Sequence, residues 1–302
     1  MDNDRSFGGI TVKLTRQDKV LFPGDGLTKG DLVDYYSRIS PTMLPHMRGR
    51  PVMLSRYPDG ITGEGFYQKE MPDRHPAWLR TVTIRKEGGT LRQMVCEKEA
   101  DLAYLANLAC ITPHIWLSRE DRLDRPDRLI FDLDPHEQGF DLVRHVALRL
   151  RDQLGELGMT AFVMTTGSKG LHVAVPLDRS ASFDEARAFA REVASRVAKE
   201  GPDSMTLDPS KEGREDRLFI DIYRNAYGQT GVAPYAVRAR SGAPVAAPLE
   251  WGQVEDGGAG PQSYNIHNVF RRLERSGDPW KEIDDRPASI ARAAAALKGS
   301  QG

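Results

Sequence analysis

The chain has 302 residues, 39% of them hydrophobic and 28% charged, so it can bury one large or two small cores and is not globally disordered. No apolar run approaches the roughly 18 residues that cross a membrane, and the polar N-terminus lacks the apolar segment of a secretory signal. The net charge of −1 argues against a uniformly basic nucleic-acid-binding surface, although it leaves room for a local basic groove.

The N-terminal third is predicted to contain one capped helix, several short strands and many basic residues. Thr28 is expected to cap a helix that runs through Ile39 with apolar residues at helical spacing. Strands are predicted at 52–55, 81–85 and 114–117, with a helix at 99–108. The basic residues are Lys13, Arg16, Lys19, Lys29, Arg48, Arg50, Arg56, Lys69, Arg80, Arg85, Lys86 and Arg92.

The remaining two thirds alternate between predicted strands and helices. Strands are predicted at 128–134, 161–165, 171–176, 217–223 and 235–240, and helices at 140–157, 183–198 and 266–273. The Ala-rich tail from Ala288 is expected to end as a frayed helix. Strands that interleave with helices and hairpins predict an α+β or mixed α/β fold.

A pair of aspartates stands at the end of one predicted strand. Because successive side chains of a strand alternate between its faces, Asp132 and Asp134 share one face while Phe131 and Leu133 point into the core. Two adjacent carboxylates repel each other unless a cation lies between them, and hard divalent ions prefer oxygen ligands. Pro135 ends the strand at an accessible sheet edge, although the pattern also fits a plain strand that runs into a turn.

Two glycines, a serine and a lysine form a predicted anion-binding turn between two strands. Gly167 and Gly170 let the backbone turn tightly and bring its N–H groups near a ligand. Ser168 and Lys169 add a hydroxyl and a charge, and His172 in the outgoing strand can point back at the same anion. No GxxxxGK[ST] precedes a helix, so this is not a Walker loop; the alternative is a simple hairpin with a buried histidine.

A third aspartate, Asp221, interrupts an apolar strand. A buried carboxylate is unfavourable unless it is paired or bound to a metal, so Asp221 either forms a salt bridge with Arg217 or Arg224 or joins the other two aspartates. Three such carboxylates are the ligand set of two-ion sites that catalyse in-line phosphoryl transfer. Further on, Arg238 and Arg240 are predicted to share one strand face that suits a triphosphate.

The order of these motifs resembles the archaeo-eukaryotic primase superfamily and, more narrowly, the polymerase domain of bacterial ligase D and its stand-alone relatives. The matching segments, which follow one another over nearly the whole chain, are 18–23, 65–69, 114–116, 131–135, 166–172, 219–221 and 232–238. The resemblance implies an α+β primase-polymerase catalytic core with mixed and antiparallel, RRM-like sheets flanked by helices. It also implies a single domain of residues 1–302, in which 1–115 bind a DNA end, 116–290 form the catalytic core and 291–302 are a flexible tail.

The resemblance also implies roles for individual residues of the catalytic core. The implied catalytic and metal-binding residues, which would hold two ions of Mn²⁺ or Mg²⁺, are Asp132, Asp134 and Asp221. The implied nucleotide-binding residues are Thr166, Ser168, Lys169, Gly170, His172, His114 and Arg238. Among them, His114 would lie near the ribose and support the use of ribonucleotides, and Thr166 stands where the family often has serine.

A second set of residues is implied to bind DNA. Lys19 and Lys29 would hold the 5′-phosphate on the far side of a gap, Arg16 would bind DNA beside them, and Phe66 and Tyr67 would stack on the template. The alternatives are solvated lysines and a Phe66 that belongs to the core. Arg16 replaces a smaller polar residue and Tyr67 replaces a common phenylalanine, differences that bear on end preference and not on the chemistry.

The predicted function is template-directed DNA/RNA nucleotidyl transfer that prefers ribonucleotides and extends primers at short gaps or breaks with a 5′-phosphate. The alternatives are a metal-dependent nuclease or phosphohydrolase and a non-catalytic nucleic-acid-binding module. The choice between end joining and short-gap filling in excision repair stays open. We expect NTPs, dNTPs and gapped or broken DNA as ligands.

The sequence also leads to expectations about assembly and location. It contains no KxDG ligase motif and no nuclease domain, so an ATP-dependent DNA ligase and Ku are expected as separate partner chains. Cys96 and Cys110 form no CxxC pair, which makes a zinc site unexpected and fits a reducing compartment. The protein is expected to be a cytoplasmic, nucleoid-associated monomer.

Overall fold

Most helices and strands form where apolar spacing predicts them in the computed structural model, which describes residues 3–135, 139–214 and 216–299. The strands are β1 (Asn3–Phe7), β2 (Ile10–Leu14), β3 (Val20–Phe22), β4 (Leu27–Thr28), β5 (Pro51–Arg56), β6 (Phe66–Gln68), β7 (Thr81–Lys86), β8 (Gly89–Val95), β9 (Cys110–Trp116), β10 (Arg128–Asp134), β11 (Phe162–Thr165), β12 (Leu171–Pro176), β13 (Met205–Thr206), β14 (Leu218–Asp221), β15 (Thr230–Val232) and β16 (Pro248–Leu249). The helices are α1 (Lys29–Met47), α2 (Glu99–Asn107), α3 (Phe140–Glu156), α4 (Phe183–Lys199), α5 (Lys211–Arg214), α6 (Trp251–Glu255), α7 (Val269–Ser276) and α8 (Ile290–Gly299), with 3-10 turns at Glu120–Arg122 and Ile283–Asp285.

Two sheets form the centre of the fold, which is the predicted α+β class. The six-stranded sheet has the order β13-β14-β10-β12-β11-β16 and is antiparallel except for the pair β13–β14. The second sheet has the antiparallel order β15-β9-β5-β8-β7, with β6 added on β5. Strand β15 follows Asp132 and Asp221 in sequence yet pairs with β9, so the N-terminal and C-terminal parts of the chain share a sheet. No helix in the described ranges is long and apolar enough to cross a membrane.

Side-chain alternation along β10 separates the core from the site. Leu129, Phe131 and Leu133 are fully buried in a cluster with residues of α3 and α4. Ile130 lies on the opposite face, in the cluster that includes residues of the second sheet, and that same face continues to Asp132. The predicted division of β10 into a core face and a carboxylate face is confirmed.

The start of α1 is set by local chemistry. The Thr28 hydroxyl accepts a hydrogen bond from the Asp31 N–H, and the Asp31 carboxylate accepts one from the Thr28 N–H. This reciprocal capping box satisfies N–H groups that a helix start otherwise leaves unpaired. The predicted N-cap is confirmed.

Two predicted segments differ from the structure. The strand predicted at 235–240 is wrong, because Tyr235 follows Pro234 and adopts a left-handed backbone with φ of 67°, so the segment turns and only Val237 forms a bridge. The chain from residue 290 to 299 forms α8, whose Leu297 carbonyl accepts a hydrogen bond from Arg196 of α4, whereas a flexible tail is predicted from 291. The last predicted tail residues, 300–302, lie outside the described residues.

Candidate active site

Three neighbouring strands bring the predicted carboxylates and His172 together. In the register of the six-stranded sheet, Asp132 on β10 lies opposite His172 on β12 and opposite Asp221 on β14. Asp132 Oδ1 is 3.3 Å from His172 Nε2. Asp134 is two residues further along the same face and its side chain is 54% exposed, against 16% for Asp132 and 17% for Asp221. The carboxylates therefore form a row that opens to solvent at Asp134.

Two arginines that the sequence did not assign to the site balance this negative charge. Arg224 Nε lies 3.5 Å from Asp132 Oδ2 and 3.6 Å from Asp221 Oδ2. Arg214 stacks on the Phe219 ring at 3.8 Å, and its Nη1 lies 3.8 Å from Asp134 Oδ2. Asp221 is therefore both part of the carboxylate row and paired with Arg224, which was the alternative raised for it from the sequence.

The ionisation of the three carboxylates follows from burial and from these neighbours. Burial raises the pKa of Asp132, but its interactions with His172, Arg224 and Arg238 outweigh that effect and lower the pKa to about 2. For Asp134, burial and the charge of Asp132 raise the pKa. Burial and Asp132 also raise the pKa of Asp221. Asp132 is thus the carboxylate whose surroundings favour its ionised form, and added positive charge would favour the ionised forms of Asp134 and Asp221.

The carboxylate row suits a divalent ion in ligand chemistry but is not a closed metal site. Carboxylate oxygens are the ligands that Mg²⁺ and Mn²⁺ prefer. In the described part of the chain, no three His, Cys, Asp or Glu side chains converge as a ready-made metal site. Arg224 bridges Asp132 and Asp221, so an ion between these two carboxylates requires the guanidinium to move.

The turn between β11 and β12 is held by Thr166. Its hydroxyl donates to the Gly170 carbonyl at 3.1 Å and accepts from the N–H groups of Ser168 and Gly170. Gly170 must be glycine, because a Cβ there would lie 1.8 Å from the Leu133 carbonyl oxygen. This close approach of the turn to β10 places Ser168 beside the carboxylate row. The Thr166 hydroxyl therefore shapes the turn.

One cavity of about 160 Å³ collects the predicted catalytic and nucleotide-binding side chains apart from Asp221. Its predicted lining residues are His114, Asp132, Asp134, Thr166, Ser168, Lys169, Gly170, His172 and Arg238. Arg238 Nη1 donates to the Thr166 carbonyl at 2.6 Å and so reaches the cavity from the irregular segment after Tyr235. Arg240, by contrast, is exposed, so the predicted pair of arginines on one strand face is wrong.

His114 is neutral at physiological pH. Burial, together with the charges of Arg238 and Arg224, lowers its pKa to about 3. The ring also meets Tyr67 edge to face, with 5.9 Å between ring centroids. His114 thus joins the nucleotide cavity to the aromatic residues of β6.

The residues predicted to bind a 5′-phosphate lie together around β3, β4 and the start of α1. Lys19 Nζ pairs with Asp59 Oδ1 at 2.7 Å, and this hydrogen bond, with the charges of Lys19 and Arg16, lowers the pKa of Asp59. Lys29 is 5% exposed, and its ammonium donates to Thr15 Oγ1 and to the Asn107 carbonyl. The alternative of a solvated Lys29 is therefore wrong, and Lys19 is the more accessible of the two lysines.

The aromatic pair predicted to stack on the template is exposed. Phe66 is 46% exposed and Tyr67 is 65% exposed on β6, so the alternative of a core Phe66 is wrong. The Arg56 guanidinium lies 5.2 Å from the Phe66 ring centroid. A loop of residues 57–65, which includes Asp59, connects β5 to this pair. This loop therefore contacts the basic cluster through Asp59 and ends at the aromatic pair.

Comparison with known proteins gives consistent matches over most of the chain. A family profile described as "LigD, primase-polymerase domain" matches residues 28–280. The chain is 35% identical over 289 residues to the "Multifunctional non-homologous end joining DNA repair protein LigD" of Mycobacterium tuberculosis, an alignment that covers 92% of this chain and 38% of that protein. It is 28% identical to the "Bifunctional non-homologous end joining protein LigD" of Bacillus subtilis, over 91% of this chain and 44% of that protein. The chain spans less than half the length of either relative.

A solved structure extends the match to three dimensions. The "Polymerase Domain from Mycobacterium tuberculosis Ligase D in complex with DNA" aligns with a TM-score of 0.85 and 34% sequence identity. The alignment covers 91% of this chain and 99% of that one. The predicted fold is therefore confirmed over nearly the full length of a homologous domain.

Proposed function

The chain belongs to the LigD primase-polymerase family, and on that premise we propose that it is a template-directed nucleotidyltransferase that extends a primer at a DNA gap or break. One observation carries the proposal: two carboxylates of β10, Asp132 and Asp134, line the same cavity as the Ser168–Lys169 turn and Arg238. A carboxylate row beside a cationic turn suits transfer between a nucleoside triphosphate and a hydroxyl. A nuclease needs the carboxylates but does not need a cationic turn suited to a triphosphate.

In the proposed reaction the primer 3′-oxygen bonds to the α-phosphorus, the bond to pyrophosphate breaks, and the hydroxyl proton leaves to solvent. The three aspartates would hold two divalent ions, which would activate the hydroxyl and neutralise charge on the phosphates. Lys169, on the exposed tip of the turn, and Arg238 offset negative charge on the triphosphate. His172, fixed against Asp132, orients the phosphate on the buried side of the cavity.

The direct test is extension of a primer at a gap of one to three nucleotides that carries a 5′-phosphate, with Mn²⁺ and either NTPs or dNTPs. We expect addition of the nucleotide complementary to the template. Addition that ignores the template, or metal-dependent shortening of the primer, would contradict the proposal and favour a terminal transferase or a nuclease. A gapped duplex and a pair of duplexes with short complementary overhangs, each assayed with a purified ATP-dependent DNA ligase, separate short-gap filling from end joining.

The proposed ribose contact of His114 leads to a prediction on ribonucleotide preference. His114→Ala is expected to lower the ratio of NTP to dNTP incorporation by about three- to ten-fold, the size of one lost neutral hydrogen bond. Because the pKa of His114 lies near 3, the wild-type ratio is expected to stay constant between pH 6 and 8.5. The exposed His145→Ala variant is the matched control. A ratio that titrates near pH 6.5, or that is unchanged in His114→Ala, would remove this role.

The proposed 5′-phosphate pocket predicts that substitutions of the paired residues Lys19 and Asp59 change the affinity for DNA in opposite directions. Lys19→Ala is expected to weaken binding to a gap with a 5′-phosphate by about ten-fold, the scale of one charge-assisted hydrogen bond, with little effect on the unphosphorylated gap. Asp59→Asn is expected to strengthen binding of the phosphorylated gap, because the carboxylate that now pairs with Lys19 competes with the phosphate. Fluorescence anisotropy measures both, with the exposed Lys199→Ala as control. Equal losses with and without the phosphate would rule out the pocket.

A further inference from the structure

A glutamine outside the nucleotide cavity contacts the turn that the proposed function assigns to the triphosphate. Gln262 lies between α6 and α7, and its side-chain Nε2 donates to the Ser168 carbonyl at 2.7 Å. Gln262 is exposed and is not among the described residues that line the cavity, whereas Ser168 and Lys169 do line it. The Ser168 carbonyl therefore faces the outer side of the turn.

The direction of one backbone N–H follows from this contact. The described part of the chain contains no cis peptide bond, so the Ser168 carbonyl and the Lys169 N–H point in opposite directions across one planar peptide unit. A carbonyl that is held towards Gln262 thus directs the Lys169 N–H towards the cavity. Within the described ranges no group accepts a hydrogen bond from this N–H, which leaves it available to an anion.

The other hydrogen bonds of the turn leave this peptide unit unrestrained. The Thr166 hydroxyl accepts from the N–H groups of Ser168 and Gly170, which lie on either side of the unit, and donates to the Gly170 carbonyl. These bonds use neither the Ser168 carbonyl nor the Lys169 N–H. If the unit rotated, its carbonyl oxygen would face the anion and repel it. The contact from Gln262 opposes that rotation.

The backbone around Gln262 is itself held in place. The Val245 N–H donates to the Tyr264 carbonyl at 2.9 Å, which ties the segment to the chain that follows Arg238. The Gly260 N–H donates to the Ser263 hydroxyl at 2.7 Å and closes a turn around Gln262. A side chain that projects from a fixed backbone loses less conformational entropy when it makes a contact. Gln262 can therefore restrain the nucleotide turn in spite of its exposure.

We propose that Gln262 is a positioning residue for the triphosphate, because it holds the Ser168–Lys169 peptide so that the Lys169 N–H donates to a phosphate oxygen of the bound nucleotide. This inference rests on the proposed function. The N–H adds a donor of fixed direction to the Lys169 ammonium, which is carried by a long, exposed side chain. Because Gln262 does not line the cavity, its loss should weaken nucleotide binding more than the chemical step.

Primer extension at varied NTP concentration separates these two effects. Gln262→Ala and Gln262→Met are each expected to raise KM for the nucleotide by about three- to ten-fold, the scale of one neutral hydrogen bond, and to keep kcat within about two-fold of wild type. Methionine keeps the length of the side chain without the N–H donor, so equal effects of the two variants assign the loss to the hydrogen bond. The matched control is Gln17→Met, since Gln17 also donates a surface side-chain hydrogen bond, to Asn3.

Two kinetic outcomes would contradict the inference. A KM that rises in Gln262→Ala but is normal in Gln262→Met would assign the effect to the bulk of the side chain. A fall in kcat with an unchanged KM would show that Gln262 acts on the chemical step instead of on nucleotide binding.

An NMR titration observes the peptide unit itself and does not depend on catalysis. In protein with ¹⁵N-labelled lysine, the Lys169 amide signal is identified by its loss in Lys169→Arg. Addition of ATP and Mg²⁺ without primer is expected to shift this signal in wild type, and to shift it by less than half as much in Gln262→Met at saturating ATP.

The titration separates failure of this inference from failure of the proposed function. Equal shifts of the Lys169 signal in both proteins at saturation would overturn the inference and leave the proposed function intact. Primer extension by wild type with no response of the Lys169 signal to ATP would have the same meaning. Absence of ATP binding by wild type would contradict the proposed function as well.

Discussion

Asp132→Asn is expected to lower the rate of nucleotide addition by about a thousand-fold or more. Asp132 is the central member of the carboxylate row, between His172 and Asp221 in the sheet register. Its pKa of about 2 makes it the one carboxylate of the three that its neighbours hold ionised. Asparagine keeps the shape of the side chain but removes the charge, so it is expected to weaken both the proposed cation binding and the contact with His172.

The measurement is single-turnover primer extension under conditions in which circular dichroism shows both proteins folded. Because its neighbours stabilise the ionised carboxylate, the substitution is also expected to lower the free energy of unfolding by about 1–3 kcal/mol. This contribution is present above the usual pKa of an aspartate and is lost as pH falls towards 2. Asp141→Asn, at a side chain that is 94% exposed on α3, is the control. Activity within ten-fold of wild type in Asp132→Asn would contradict the assignment.

Gly170→Ala is expected to lower kcat/KM for the nucleotide by about a hundred-fold, by moving the turn that carries Ser168 and Lys169. A Cβ at this position meets the backbone of Leu133, with 1.8 Å to the carbonyl oxygen, so β10 and the turn must separate by more than an ångström. A displacement of that size in positioning groups costs about two orders of magnitude in rate. The same displacement should lower the free energy of unfolding by about 3 kcal/mol.

Thermal unfolding and steady-state kinetics with a saturating primer check this prediction. Gly155→Ala is the matched control, since Gly155 lies within α3 and an added Cβ there has no neighbour within 4 Å. That change is expected to be neutral or stabilising, by up to about 1 kcal/mol. If Gly170→Ala keeps wild-type kinetics and stability, the turn is free to shift without consequence and does not position the nucleotide.

What the sequence predicts well depends on short-range pattern. The bounds of β10 and the separation of Asp132 from Phe131 follow from alternation within seven residues, and both hold in the structure. The N-cap at Thr28 likewise depends on a residue three positions away. The turn between β11 and β12 is likewise predicted from Gly167 and Gly170. For these features the structure adds interatomic distances and leaves the predicted elements and residue roles unchanged.

What the sequence misses depends on partners far along the chain. Arg224 reaches Asp132 only because β14 pairs with β10 in one register, and no local pattern fixes that register. Lys29 is buried because it meets the Asn107 carbonyl, 78 residues away. The expected strand at 235–240 fails because Tyr235 takes a left-handed backbone, held by a hydrogen bond from its N–H to the Ala246 carbonyl. Long-range packing overrides local propensity in each case.

The pairing of β15 with β9 has a consequence for substrate choice. It places a strand of the C-terminal part in the sheet of the N-terminal part, so the two parts are joined by backbone hydrogen bonds. If Lys19 binds the 5′-phosphate as proposed, the separation of Lys19 from Asp132 in the fold sets how many template bases lie between them. If the proposed 5′-phosphate pocket is correct, extension efficiency is therefore expected to depend on gap length.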